Sequence, residues 1–212
     1  MLPAPDDLTA ALTRATELEL PGHGEATRIQ VGRAELVLEN RRGSYSMLWS
    51  DGREARRFIL GLTGAGKLSV ELRAPRLPLT CVPRDVLTMV PGARIRGYLT
   101  IPLVPTVVWR AQLEQPQSLV ELIPSELEGT WDPESGHAFR VGVDWLSRFP
   151  FRSGAVQCVV PIRLCNAGDL VACPSSLELK IADDDLFELR GALIVRPRRL
   201  RWSTDQRFVE AV

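Results

Sequence analysis

The chain has 212 residues, 45% apolar and 25% charged, with Lys+Arg and Asp+Glu balanced at 26 each. This is ordinary globular composition, with length enough for one large or two small domains and a core that needs no cross-links. It excludes a disordered chain, and the zero formal net charge excludes a global field toward nucleic acid or anionic membrane, leaving only local patches.

In chain order, the opening "MLPAPDDLTAAL" lacks the basic start and apolar stretch of a secretory signal. No apolar run approaches the roughly 18 residues that span a bilayer. A cytoplasmic protein without membrane insertion is the expectation. Asp6 or Asp7 can cap a short helix whose one face carries Leu8, Leu12 and Ala15. After Pro21 the period changes to two, and strands are predicted at 27–39, 45–50, 55–62 and 67–73. The clearest is "KLSVELR", in which Leu68, Val70 and Leu72 alternate with Lys67, Ser69, Glu71 and Arg73.

"RLPLTCVP" carries paired prolines between patterned segments and marks the expected boundary between a β subdomain, 1–79, and a C-terminal β-sandwich domain, 80–212. "DVLTMV", a Pro-Gly turn, "ARIRGYLTIPLVP" and "TVVWRAQL" follow; Pro102 and Pro105 lack amide hydrogens, so the long strand should end there or run along an edge. In "AFRVGVDW", Phe139, Val141, Val143 and Trp145 point one way while Arg140 and Asp144 point the other. "AVQCVVPIRLC", "SLELKI" and "FELRGALIVRP" complete about a dozen short strands, which predict an all-β fold of sandwich architecture in two packed β units, with at most the short N-terminal helix.

"GLTGAGKLSV" comes within one residue of a phosphate-binding loop: Gly61, Gly66 and Lys67 match, but Leu68 occupies the hydroxyl position and Ser69 arrives one residue late. Such a loop must open a helix, whereas Lys67 to Arg73 alternates as a strand. A hairpin is expected instead, with "TGAG" supplying positive φ angles.

Nucleophilic triads usually need a histidine, and the chain has His23, in a turn, and His137, in the acidic stretch holding Glu126, Glu128, Asp132 and Glu134. No spacing there matches a metal loop, and neither metal nor cofactor is expected. Cys81, Cys158, Cys165 and Cys173 lack the close pairs of zinc sites. If "CVVPIRLC" is one regular strand, Cys158 and Cys165 face opposite ways; a bulge at Pro161 would spoil that parity. "ADDDLFE" lacks the oxygen spacing and central glycine of a calcium loop and reads as a polar turn. "RPRRLRW" is the candidate binding segment: Arg196, Arg198, Arg199 and Arg201 beside Trp202 can clamp phosphates and stack on a base, or pair with the triple aspartate upstream.

The run "AVQCVVPIRLCNAGDLVACPSSLELKI" with "DLFELRGALIVRP" resembles the closing portion of an uncharacterised prokaryotic family known mainly from archaea. The resemblance implies an all-β fold and supplies no catalytic residues. The expected function is a non-catalytic binding or assembly module with a protein partner or copies of itself. The alternative is a carboxylate hydrolase using Asp132, Glu134 or Asp144, with or without a metal. A third reading is anionic-ligand or nucleic-acid binding through Arg196 to Trp202.

Overall fold

The computed structural model describes residues 14–41, 44–62, 65–111, 115–132, 136–150, 156–189, 191–202 and 208–210. The capping aspartates and the leucines of the predicted N-terminal helix lie outside the described residues; Ala15, expected on that helix, instead begins a strand. The strands are β1 (Ala15–Leu18), β2 (Ala26–Val31), β3 (Ala34–Arg41), β4 (Ser44–Ser50), β5 (Ala55–Leu60), β6 (Gly66–Arg73), β7 (Leu79–Pro83), β8 (Arg94–Pro102), β9 (Val104–Ala111), β10 (Gln117–Glu121), β11 (Glu128–Asp132), β12 (Gly136–Val143), β13 (Gln157–Asn166), β14 (Leu177–Leu179), β15 (Leu186–Leu189), β16 (Ala192–Val195), β17 (Arg198–Trp202) and β18 (Phe208–Glu210). The protein is all-β and sandwich-like, and its described residues form four sheets. Among the described residues no helix is long and apolar enough to cross a membrane.

There are more strands than alternation alone predicts, because it does not register short pieces such as β1, four residues, and β18, three. The predicted strand 27–39 divides at Gly32, whose φ of 61° and two-residue loop make a tight hairpin between Val31 and Ala34.

The chain forms two compact units: Met1–Arg73 with Val104–Ser125 and Gly154–Val156, and Ala74–Leu103 with Glu126–Ser153 and Gln157–Val212. In the first unit, sheets β1-β6-β9-β10 and β2-β3-β4-β5 contribute to one apolar core. Leu68, Val70, Val107 and Trp109 come from one sheet, and Leu36, Leu38, Met47 and Trp49 from the other. Alternation supplies the inward faces, so sandwich packing follows from the sequence period. The β4–β5 turn is held by Asp51, whose Oδ1 accepts from the Glu54 and Arg53 amides at 2.9 Å each. Those bonds hold its carboxyl below the usual carboxylate range.

The second unit holds sheet β11-β12-β7-β14 and a six-stranded sheet in which β13 pairs with β8 along one side and with β16 and β17 along the other. The β12–β7, β13–β16 and β13–β17 pairings are parallel. As expected, Phe139, Val141 and Val143 are buried while Arg140 is exposed. The long proline-bearing strand ends at Pro102, and β9 restarts just ahead of Pro105, near its own first residue, where a missing amide is tolerated.

The glycine-lysine segment is resolved by these pairings. Lys67 to Arg73 is strand, with Leu68, Val70 and Leu72 buried. The predicted hairpin is not formed: β5 belongs with β4 and β6 with β1 and β9, so Gly61 to Ala65 connects two sheets. Gly64 lies outside the described residues, and Gly66 is not at positive φ. A Cβ at Gly66 would sit 2.5 Å from the Trp109 ring and 2.6 Å from the Arg110 carbonyl oxygen, so this glycine makes room for a neighbouring strand. Lys67 Nζ lies 3.0 Å from Glu17 on β1, at the surface. Gly66→Ala should therefore lower unfolding free energy by about 1–3 kcal/mol in urea titrations. Lys67→Met, which removes one exposed ion pair, should cost less than about 1 kcal/mol. A phosphate site would instead show nucleotide binding that Lys67→Met abolishes.

Candidate functional site

Strand β13 buries Cys158, Val160, Ile162, Leu164 and Asn166 on one face. Its other face carries Val159, Pro161, Arg163 and Cys165. Residues in register on neighbouring strands share a face. Arg163 is in register with Arg96 on β8 and Arg199 on β17, and Cys165 with Arg94 and Arg201. One sheet face thus presents Arg94, Arg96, Arg163, Arg199 and Arg201 in two rows across three strands. All are exposed except the central Arg163, which is half-buried. Several other arginines meet carboxylates, as in Arg28–Glu35, Arg56–Glu54, Arg84–Asp144 and Arg110–Glu71. Among the described residues, none of the five forms an ion pair.

The same face becomes apolar toward the start of β13. Val159 is in register with Ile194, and Ile194 with Phe187 on the edge strand β15. Val159, Ala192 and Ile194 form a small core against which Tyr98 and Phe149 pack. Tyr98 and Phe149 meet edge to face, with centroids 5.5 Å apart. Phe187 and Leu189 remain 41% and 48% exposed.

The predicted segment Arg196 to Trp202 is divided by this geometry. Arg199 and Arg201 join the arginine rows. Arg198 points to the other face, where its guanidinium lies 2.5 Å from Asp185 Oδ2. Trp202 is half-buried on that face too, in register with Asn166 and edge-on to Phe208 at 5.1 Å. Arg196 is exposed ahead of β17, and its amide donates to the Asp185 carbonyl at 3.1 Å. The triple aspartate is a 3₁₀ turn, Asp183–Asp185, and its pairing with Arg198 reaches from turn to strand. The Ala182 amide donates to Asp185 Oδ2, and with Arg198 beside it the carboxyl is held below its usual range against the opposing effect of burial. Arg94, Arg96 and Arg163 escaped the sequence reading, although "ARIRG" and "PIRLC" place them at strand period; only the pairing brings them to Arg199 and Arg201.

At the end of β13 a second feature appears. Asn166 is fully buried; its Nδ2 donates to the Met89 and Leu170 carbonyls at 2.9 and 2.8 Å, and its Oδ1 accepts from the Gly168 amide at 3.1 Å. Met89 and Ala172 exchange both backbone hydrogen bonds at 2.9 Å, tying the two loops together. Their side chains are buried, so the next pair outward, Val90 and Val171, faces solvent. With Val86 and Leu170, these are 88%, 60%, 76% and 53% exposed for Val86, Val90, Leu170 and Val171. This is an aliphatic tip held by a buried amide.

The hydrolase candidates do not converge on the described residues. Asp144 is exposed and paired with Arg84 at 3.0 Å, Asp132 ends β11, and Glu134 lies outside the described residues. His23 and His137 are exposed. Among the described residues no group of three or more His, Cys, Asp or Glu is placed to hold a metal ion. The β8–β13 register runs unbroken past Pro161, so Cys158 and Cys165 do point to opposite faces. Burial pushes the Cys81 and Cys158 thiols up to about 12, whereas Cys173 is exposed. No protein family, curated protein or solved structure matches the chain.

Three outcomes follow from these environments. Iodoacetamide labelling followed by mass spectrometry should modify Cys173 first, then Cys165, and reach Cys81 and Cys158 only on unfolding. Since these two thiols stay protonated in the folded state above the pH at which they ionise when unfolded, their burial should erode stability as pH rises from about 9 toward about 12. Asn166→Ala should cost about 2–4 kcal/mol in denaturant titrations and expose the Met89 and Ala172 amides to hydrogen exchange.

Proposed function

We propose that the protein is a non-catalytic binding or assembly module that docks a protein partner through the aliphatic tip formed by Val86, Val90, Leu170 and Val171. The observation that carries this reading is the exposure of four branched aliphatics on two loops locked by a buried asparagine. Exposed aliphatic surface favours association, and a preorganised loop pair reduces the ordering cost of binding. Four free cysteines, two of them deeply buried, fit a reducing cytoplasm.

The test is affinity purification from the native host beside sedimentation over a concentration series. Wild-type protein should recover one reproducible partner, or sediment as a dimer if the partner is a second copy. Leu170→Asp/Val171→Asp should abolish that association by more than about tenfold, as expected for loss of a central apolar contact. Ile59→Asp, at an equally exposed aliphatic on the first unit, should leave it intact. Equal recovery by both variants, or no association by wild type, overturns the reading.

A further inference from the structure

We propose that the outer face of the six-stranded sheet is a binding surface for single-stranded nucleic acid, with phosphates held by the arginine rows and bases resting on the adjoining aromatic half. This does not rest on the docking role of the loop tip.

Three observations carry it. The first is electrostatic: Arg96, Arg163 and Arg199 stand side by side on adjacent strands, as do Arg94 and Arg201 on either side of Cys165. Like charges directly opposite each other weaken strand pairing, and adjacent strands lie only about 4.8 Å apart. Arg28, Arg56, Arg84, Arg110 and Arg198 each meet a carboxylate, whereas these five, gathered on adjacent strands, form no ion pair among the described residues, so an anion from outside would supply the counter-charge. The second is residue type: every cation in the rows is arginine, whose planar fork binds phosphate oxygens in pairs. The third is the neighbour. Tyr98 follows Arg96 by two residues on the same face, and Phe187 and Leu189 lie exposed beyond it. A sheet face with cations at one end and the exposed ring of Phe187 beside the half-buried Tyr98 at the other matches the two demands of a single strand, a charged backbone and sequence-tolerant stacking. An acidic protein segment would use the arginines and leave the rings without a role.

The test uses the full chain and a fluorescein-labelled oligothymidylate, read by anisotropy over a salt series. The logarithm of the binding constant should fall with the logarithm of salt concentration at a slope of about −2 to −3.5, for three to five phosphate contacts at about −0.7 each. Arg163→Gln/Arg199→Gln should flatten the slope by about 1.4 while raising the melting temperature, because it relieves repulsion between adjacent strands. Phe187→Ala should weaken binding about tenfold without changing the slope. A merely solvated outer face predicts no oligonucleotide binding at low salt, and that result overturns the proposal. So does preferential capture of phosphatidylserine vesicles or polyglutamate over the oligonucleotide in competition, which would identify a membrane or an acidic polypeptide as the occupant.

Discussion

Strict side-chain alternation along the ten residues of β13 is the constraint from which the second unit's features derive. Because its register with β8 carries no bulge, every odd-numbered side chain from Val159 to Cys165 stays on one face and every even-numbered one on the other. A slip of one residue would bring Arg163 into the core and expose Leu164 and Ile162. The same parity separates the two cysteines of the strand and gathers arginines from three strands. It also delivers Asn166 to the buried side at the strand's end, where its amide reaches two loops at once.

The two candidate surfaces of that unit have different physical characters. The loop tip offers aliphatic area fixed by backbone hydrogen bonds and one buried amide, so its shape is set before any partner arrives. The sheet face offers charge with little acidic compensation, which acts at longer range and weakens with ionic strength. Carrying both asks for no reactive side chain. The buried thiols, the surface-paired Asp144 and the exposed histidines are each accounted for by folding or solvation alone.

Much of the fold is legible in local pattern. "KLSVELR" and "AFRVGVDW" alternate cleanly and form β6 and the β12 segment, because one face of each is apolar and buried while the other carries the polar side chains. The nature of Gly66 was not legible: a glycine before a lysine reads as loop chemistry until Trp109, more than forty residues later, is seen to occupy the space above it. The arginine face was half legible for the same reason. Arg199 and Arg201 announce themselves in a dense run, whereas Arg94, Arg96 and Arg163 are unremarkable singly and acquire meaning from strand pairing. Parallel neighbours such as β13 and β17 are joined by no hairpin, so no turn signal between them marks the contact. Arg198 and Trp202 show the converse, since period two within "RRLRW" turns them away from Arg199 and Arg201.

The order in which chain segments enter the first unit bears on how the protein is made. Its central strand β9 begins at Val104, after the chain has left for Ala74–Leu103 and returned. On a ribosome, β1 and β6 therefore emerge well before the strand that must sit beside β6, and the edge of β6 stays open while some thirty further residues are synthesised. Neither unit can be excised as an uninterrupted piece of gene. A truncation that keeps β1 and β6 but removes β9 would leave one edge of β6 unpaired and open to pairing with other nascent chains.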